Sequence, residues 1–218
     1  QDPYPRSVAY LALGATGYWL GELPVARLHV EQALTLCDSQ QHLRPSSTTA
    51  DPRLEGHTPE SAPWLNYRWA SNTADPRIEC LAYAVWTLWP LGYPDQALKR
   101  SQELLAFAEG LSQPLGRVYA LAIAAWCHHL RREVQLTRER AEAVIAVATE
   151  QGFPYWLGLG TLFRGGALVK QEQVEEGIAQ IQQGQATYRA TGAEIGRPSG
   201  LAFLAEAYGK GGRGEEGL

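Results

Sequence analysis

Small and apolar residues recur along the chain in pairs whose members lie 12 positions apart, and successive pairs follow at intervals of 71, 40, 40 and 40 residues. This spacing suits two antiparallel helices joined by a short turn, because a small side chain on the second helix can pack closely against the first. Large apolar residues would fill the remaining space between the two helices. The pairs are Gly14 and Ala26, Val85 and Ala97, Ala125 and Thr137, Gly165 and Gly177, and Ala205 and Gly217.

The same intervals separate the positions that we place in the turn inside each helix pair. These positions are Gly21, Gly92, Arg132, Glu172 and Gly212. A pattern that returns at a fixed period predicts a repeat protein, in which each unit buries its apolar face against its neighbours. We expect helices over residues 6–20, 24–37, 76–90, 94–109, 114–131, 134–150, 154–170, 174–191 and 198–210.

Glycine and proline mark the boundaries between successive helix pairs. Glycine is favoured just after a helix, because it adopts the left-handed conformation without strain, and proline is favoured in the first helical turn. The glycines that end second helices are Gly110, Gly152 and Gly192, and the prolines that begin the next helices are Pro114, Pro154 and Pro198. This pattern indicates helices throughout and predicts no strand.

Residues 38–74 interrupt the period and are rich in proline, serine and threonine, which predicts a loop-rich insertion between the first and second repeats. Within it, Thr49–Glu55 nearly repeats as Thr73–Glu79. The second copy predicts a helix start, with Asp75 as the N-cap residue and Pro76 in the first turn. Four large side chains in the insertion would either anchor it to the repeats or form a lid over their groove. They are Trp64, Leu65, Tyr67 and Trp69.

The composition is that of a soluble globular protein, with 45% hydrophobic residues, 19% charged residues and a net charge of −4. The longest nearly apolar stretch, Leu81–Tyr93, is too short to span a bilayer, and the N-terminus lacks the regions of a signal peptide. We therefore expect a cytoplasmic protein that does not contact a membrane. Because the chain starts with Gln1 and stops early in a predicted helix, we also expect a fragment of a longer protein.

No pattern in the sequence predicts catalysis, a metal or a cofactor. Cys37, Cys80 and Cys127 are too far apart for a zinc motif and are expected to be buried thiols. His128 and His129 are adjacent on a helix, so their side chains diverge by roughly 100° and do not readily share a metal. The sequence contains no phosphate-binding loop, zinc-protease motif or nucleophile elbow. We predict a protein that is not an enzyme.

Nucleic-acid binding is also not expected. The arginines between residues 131 and 140 are interrupted by glutamates, and the chain is acidic as a whole. The string Gly209–Gly214 matches G-x-G-x-x-G in letters only, since it falls in a predicted turn between two helices and not after a strand. A solvated loop and helix surface explains the arginine cluster.

The repeats resemble tetratricopeptide repeats (TPRs) in a form of about 40 residues. Four stretches are also similar to the C-terminal regions of large bacterial signalling ATPases, which carry nucleotide cyclase or serine/threonine kinase domains. The stretches are Ala26-Arg-Leu-His-Val-Glu-Gln-Ala-Leu34, Leu91-Gly-Tyr-Pro-Asp-Gln-Ala-Leu98, Ala148-Thr-Glu-Gln-Gly-Phe-Pro154 and Leu204-Ala-Glu-Ala-Tyr-Gly-Lys210. The resemblance implies an all-α fold over residues 1–218: a single right-handed α-solenoid of antiparallel helix pairs, with about five repeats of which the last is incomplete.

Applying the TPR positions to the first helix of each pair predicts which side chains face the groove. The expected binding residues are mostly aromatic in the first three repeats and charged in the last two. They are Tyr18, Trp19, Trp86, Trp89, Tyr119, Trp126, His129, Lys170 and Glu206, with Lys210 beside them. Tryptophans on one face favour binding if they contact solvent, since aromatic side chains supply rigid contact area. Packing against one another is the alternative.

Two functions from different classes follow from these residues. The first is a non-catalytic scaffold that binds a peptide or protein segment, possible partners including other domains of the parent protein, because an elongated concave surface suits an extended chain. The second is a sensor domain whose aromatic groove binds a small molecule such as a sugar.

Overall fold

A computed structural model describes residues 4–41, 75–111 and 113–217. Every regular element in these ranges is helical, which confirms the predicted all-α fold class of a TPR-like α-solenoid built from helix pairs. The nine α-helices of the described ranges, followed by a 3₁₀ turn at Gly214–Gly217, are α1 (Tyr4–Trp19), α2 (Leu23–Gln41), α3 (Pro76–Leu88), α4 (Pro94–Glu109), α5 (Pro114–Leu130), α6 (Val134–Gln151), α7 (Pro154–Lys170), α8 (Val174–Ala190) and α9 (Arg197–Lys210).

The predicted helix ends agree with the observed ends to within two residues for eight of these helices, and α2 is the exception. It continues to Gln41, four residues beyond the predicted end. Its last turn is held by the Ser39 hydroxyl, which donates to the Leu36 carbonyl at 2.7 Å, and by an ion pair of 3.1 Å between Asp38 and Arg77. The rest of the predicted insertion, residues 42–74, lies outside the described residues, as do its four large side chains.

The start of α3 confirms the predicted cap. Asp75 has an extended backbone, and its side chain accepts a hydrogen bond of 2.9 Å from the backbone N–H of Arg77. Pro76 occupies the first helical position, where its missing N–H costs no intrahelical hydrogen bond. The cap and the proline together fix where α3 begins.

The chain divides into two compact units, and the first comprises residues 1–91. In unit 1, α1 packs against α2, and α3 packs against both. Gly14 is where α1 and α2 approach closely, since a Cβ atom there would lie 2.7 Å from a methyl group of Val30 and 3.3 Å from the carbonyl oxygen of Ala26. The predicted pair of Gly14 and Ala26 is thereby confirmed.

Residues 92–218 form the second unit, in which each helix packs against the next and the first helices α5, α7 and α9 also lie side by side. Glycines let α7 and α8 approach each other closely. A Cβ atom on Gly165 would lie 2.8 Å from the carbonyl oxygen of Gly177, which confirms that predicted pair. By contrast, Ala205 of the fifth predicted pair is exposed. Residues 214–217 form a 3₁₀ turn where we expected the start of an α-helix, and a run of four residues with a glycine at each end gives little support for a longer helix.

The five predicted turn positions share one backbone conformation. Each has a positive φ, between 60° and 84°, in the left-handed region. In four of these turns, the N–H of the next residue donates to the carbonyl five residues before it, which satisfies a carbonyl at the end of the first helix. Glycine adopts this conformation readily, whereas Arg132 and Glu172 adopt it at a cost.

No helix in the described ranges combines the length and the apolar character that crossing a membrane requires.

Candidate functional site

In unit 1, three of the predicted binding residues belong to one aromatic cluster on α1 and α3. Tyr18 stacks on Trp86, with ring centroids 6.0 Å apart, and meets Trp19 edge to face at 5.2 Å. Tyr83, which the sequence analysis did not single out, completes the cluster. It contacts Tyr18 and Trp86, and its hydroxyl accepts a hydrogen bond of 3.2 Å from the indole nitrogen of Trp19.

Exposure differs among the members of this cluster and the neighbouring Trp89. Tyr83 is fully buried, Tyr18, Trp86 and Trp89 are half-buried, and Trp19 is 45% exposed. Burial also raises the pKa of the Tyr18 phenol. Most of the aromatic area in the cluster is therefore used in packing, and Trp19 is the member that presents a large ring surface to solvent.

In unit 2, Tyr119 belongs to a second group of aromatic side chains that joins α5, α7 and α8. Tyr119 is buried and contacts Trp156 edge to face at 5.2 Å. Trp156 contacts Tyr155, which in turn packs against Tyr188 and accepts a hydrogen bond of 3.3 Å from its hydroxyl. The sequence analysis missed Trp156, Tyr155 and Tyr188, although Tyr155 and Trp156 directly follow the helix-starting Pro154.

Trp126 and His129 lie one turn apart on α5 and contact the side chains of the following repeats. Trp126 packs against the buried core that includes Phe163 and Phe203. The His129 ring lies 4.5 Å from the ring of Phe203 and 5.9 Å from that of Phe163, measured between centroids. Burial, aided by the charge of Lys170 and opposed by that of Glu206, lowers the pKa of His129 to about 4. At neutral pH the imidazole is therefore uncharged.

Charged side chains from the turn after α5 and from α7 and α9 line an open cavity of about 470 Å³. Its lining residues are Arg132, Lys170, Glu206 and Lys210. The Lys170 ammonium pairs with the Glu206 carboxylate at 3.2 Å, and the Lys170 side chain is only 18% exposed. The structure thus places three of the predicted site residues, His129, Lys170 and Glu206, in one neighbourhood of unit 2.

Arg132 is the cavity residue that the sequence analysis assigned to a solvated surface. A signal was nevertheless present, because Arg132 occupies a turn position at which three of the five repeats carry glycine. A bulky cation at a position that favours glycine is unusual. Lysine also recurs at equivalent positions of two successive repeats, since Lys170 and Lys210 are one 40-residue period apart.

A second histidine, His128, contributes to a polar network that joins α5 to the turn after it and to α4. Its Nδ1 lies 2.6 Å from a carboxylate oxygen of Glu133, whose other oxygen accepts from Arg131 at 2.9 Å. Arg131 also pairs with Asp95 at 3.0 Å. Hydrogen bonding from His128, followed by that from Arg131, lowers the pKa of Glu133. This network stabilises the turn. The His128 imidazole and the Glu133 carboxylate, which could each act as a base, are bonded to each other in it.

The cysteine side chains lie in the core. All three cysteines are buried and free of disulfides, as predicted. Burial raises the pKa of the Cys127 thiol to about 11, which keeps it protonated and unreactive at neutral pH. Within residues 4–41, 75–111 and 113–217, no three His, Cys, Asp or Glu side chains are grouped so that they could hold a metal ion. The chemistry offered by the site is charge pairing and aromatic contact.

Comparison with protein-family models and with curated proteins finds no match. Among solved structures, the chain is similar to nearly identical TPR-like repeats assigned to a putative kinesin light chain of Podosopora anserina. A structure of a variant of these repeats with one substitution aligns with a TM-score of 0.64, and another structure aligns with a TM-score of 0.61. In both, the identity is 16%, and the alignment covers 100% of this chain and 91% of the other. This likeness shows that the chain has the fold of TPR-like helical repeats.

Proposed function

We propose that this chain is a non-catalytic scaffold that binds a peptide or protein segment along the first helices of unit 2. As its sequence resemblance implies, it would form a regulatory part of a larger bacterial signalling ATPase in the cytoplasm. The segment would come from another protein or from another domain of the parent protein. Binding at the repeats would then be coupled to catalysis elsewhere in that protein.

The observation that carries this proposal is the cavity of about 470 Å³ lined by charged side chains beside α7 and α9. The first helices α5, α7 and α9 lie side by side, so their adjacent surfaces form one continuous row. A row of parallel helices offers contacts at regular spacing, which suits an extended segment. Ala202, Glu206 and Lys210 continue this surface along one face of α9, because helical positions four residues apart lie above one another.

A small-molecule sensor is the second candidate, and the cavity volume favours it, since ligand pockets commonly enclose about 300–1,000 Å³. The lining does not, because such pockets are mostly apolar, whereas the residues around this cavity are charged. In the described residues of unit 2, Tyr119 is buried and meets Trp156 edge to face, so the Tyr119 ring offers little surface to a sugar. A peptide with polar groups therefore fits the cavity better than a sugar stacked on aromatic rings.

A photo-crosslinking experiment tests the proposed surface. Random 12-residue peptides are displayed on phage and selected against the purified chain, and the enriched peptides are then synthesised. A benzophenone amino acid replaces Ala202, which is exposed on α9, and, as the matched control, Ala179, which is exposed on α8. We expect the selected peptides to crosslink from position 202 and not from position 179.

Equal crosslinking from both positions would reject the proposed surface, and failure to enrich any peptide would reject peptide binding by this chain. Enrichment for a disaccharide on a glycan array, together with no peptide enrichment, would favour the sensor.

A further inference from the structure

The distribution of positive charge in unit 2 is uneven. Most arginines there pair with a neighbouring carboxylate: Arg100 with Glu103 at 2.7 Å, Arg138 with Glu142 at 2.9 Å and Arg213 with Glu175 at 3.2 Å. Arg132 and Lys210 differ, since neither side chain forms an ion pair or hydrogen bond with any residue in the described ranges. Both nevertheless lie at the same cavity.

The cavity has more positive than negative charge. Arg132, Lys170 and Lys210 face it with one carboxylate, Glu206, although the whole chain carries a net charge of −4. Three cations around one concavity repel one another, and an anion bound among them would lower that repulsion. The single carboxylate is already paired with Lys170.

Compensation of helix dipoles does not account for this clustering. Lys170 and Lys210 end α7 and α9, where a cation is favourable near the terminal carbonyls. Those carbonyls, however, already accept hydrogen bonds from the turns: the N–H of Gln173 donates to Leu168 and that of Arg213 to Tyr208, at 3.0 and 2.9 Å. The dipoles therefore give no reason for a third cation, Arg132, at the same cavity.

We infer that this cavity is the subsite for an acidic side chain of the bound segment, whose carboxylate is held between Arg132 and Lys210 beside the pair of Lys170 and Glu206. The inference rests on the proposed function and specifies the chemistry of the partner as an aspartate- or glutamate-containing peptide. Arginine supplies a planar set of donors that matches a carboxylate, and the two lysines add charge without fixed direction. The ring of His129 packs on Phe203, near the charges of Lys170 and Glu206.

Fluorescence anisotropy with a labelled hexaglutamate peptide tests this assignment, and labelled hexaglutamine of the same length serves as the neutral probe. We expect wild type to bind hexaglutamate at least about tenfold more tightly than hexaglutamine at low salt, since each opposite charge brought together adds attraction. The double variant Arg132→Glu/Lys210→Glu should lose that preference. It changes two side chains with little or no packing role.

The matched control is Lys99→Glu/Arg189→Glu. It makes the same change in net charge on two exposed cations of α4 and α8, which lie outside the first helices proposed to bind the segment. Its affinity for hexaglutamate should stay within about threefold of wild type, because distant exposed charges are screened. Equal losses in the two double variants, or equal binding of the two probes by wild type, would overturn the subsite.

Two further experiments distinguish an acidic peptide from a phosphate group, and the subsite from the proposed function. Inorganic phosphate at about 10 mM, compared with chloride at equal ionic strength so that general screening is matched, should not displace hexaglutamate; displacement would reassign the cavity to a phosphate group. Peptides selected on phage are then tested against Arg132→Glu/Lys210→Glu. If they crosslink at position 202 but bind this variant as tightly as wild type, the acidic subsite is wrong and the proposed peptide-binding function remains. If none binds, both fail.

Discussion

At the residue scale, the five turn positions share one backbone conformation although their side chains differ. Gly21, Gly92 and Gly212 adopt a positive φ without strain, whereas Arg132 and Glu172 hold the same conformation with a side chain. The left-handed region costs a residue other than glycine roughly 1–2 kcal/mol. Arg132 lines the cavity at which we propose that an acidic group binds. Glu172 is exposed and does not line that cavity.

We therefore expect Glu172→Gly to stabilise unit 2. Relief of strain exceeds the greater flexibility that glycine gives the unfolded chain, for a net gain of about 0.5–1 kcal/mol in the free energy of unfolding. Glu172→Ala removes the same side chain but keeps the strained backbone, which makes it the control. Urea unfolding should give Glu172→Gly a higher free energy of unfolding than Glu172→Ala. The reverse order would mean that the turn is not strained.

His129 gives the fold a pH dependence of known sign. Its pKa is about 4 in the folded protein, below the value near 6.5 of a free histidine. Between these values the unfolded chain binds the additional proton, so the stability that the neutral ring contributes is present above about pH 6.5 and is lost as the pH falls toward 4. Lys170 adds to the effect and Glu206 opposes it.

Thermal melts of wild type and His129→Gln between about pH 7.5 and about pH 4.5 measure this contribution. Both proteins lose stability in acid as their carboxylates are protonated, and that loss is shared by the pair. The melting temperature of wild type should fall further, so that the gap between the two proteins narrows toward low pH. Parallel curves would place the ring in water and contradict its burial.

At the element scale, the antiparallel register of α7 and α8 extends beyond the pair that the sequence analysis named. Seven residues farther from the turn on each helix, a Cβ atom on Gly184 would lie 2.7 Å from both the carbonyl oxygen of Gly158 and the backbone nitrogen of Leu162. The 12-residue spacing of Gly165 and Gly177 contains this information, because an antiparallel pair keeps its register for two further turns.

Gly184→Ala should therefore destabilise the protein by about 1–3 kcal/mol, since backbone on the facing helix cannot move aside for the methyl group. Gly209→Ala is the control. Gly209 also lies within a helix, but a Cβ atom there meets nothing within 4 Å, so its replacement should stabilise α9 by about 0.5–1 kcal/mol. Chemical unfolding distinguishes the two effects by sign. Equal shifts would show that helix propensity, rather than the crossing, decides both.

At the scale of the whole molecule, the fold was more predictable than the site. A period of about 40 residues recurs along most of the chain, so each helix pair supports the prediction of the next, and the turn positions and helix ends follow from it. The cavity depends instead on how Arg132, Lys170 and Lys210 are brought together across three repeats, and no spacing in one repeat encodes that. The role of the aromatic residues is equally hard to predict, because a ring that binds a ligand and a ring that packs in the core occupy the same positions of the repeat.

A non-catalytic scaffold is expected not to hydrolyse ATP. Hydrolysis of ATP needs a loop that binds phosphate, a metal ion held by the protein and a group that orients the attacking water. The sequence has no G-x-x-x-x-G-K-[ST] string, and its two overlapping G-x-G-x-x-G strings, residues 209–214 and 212–217, lie at the end of α9 and in the turns after it. The cations at the nearby cavity are therefore expected to bind acidic groups without cleaving them.

The purified chain should release no phosphate from ATP and Mg²⁺ above the buffer background in a malachite-green assay at neutral pH. Arg132→Glu/Lys210→Glu should give the same background, because the role proposed for these side chains is binding and not catalysis. A contaminating ATPase would produce activity that varies between preparations and is indifferent to substitutions in this chain. Activity that copurifies with the protein and is abolished by the double variant would show instead that the cavity is a catalytic centre, and the scaffold assignment would be wrong.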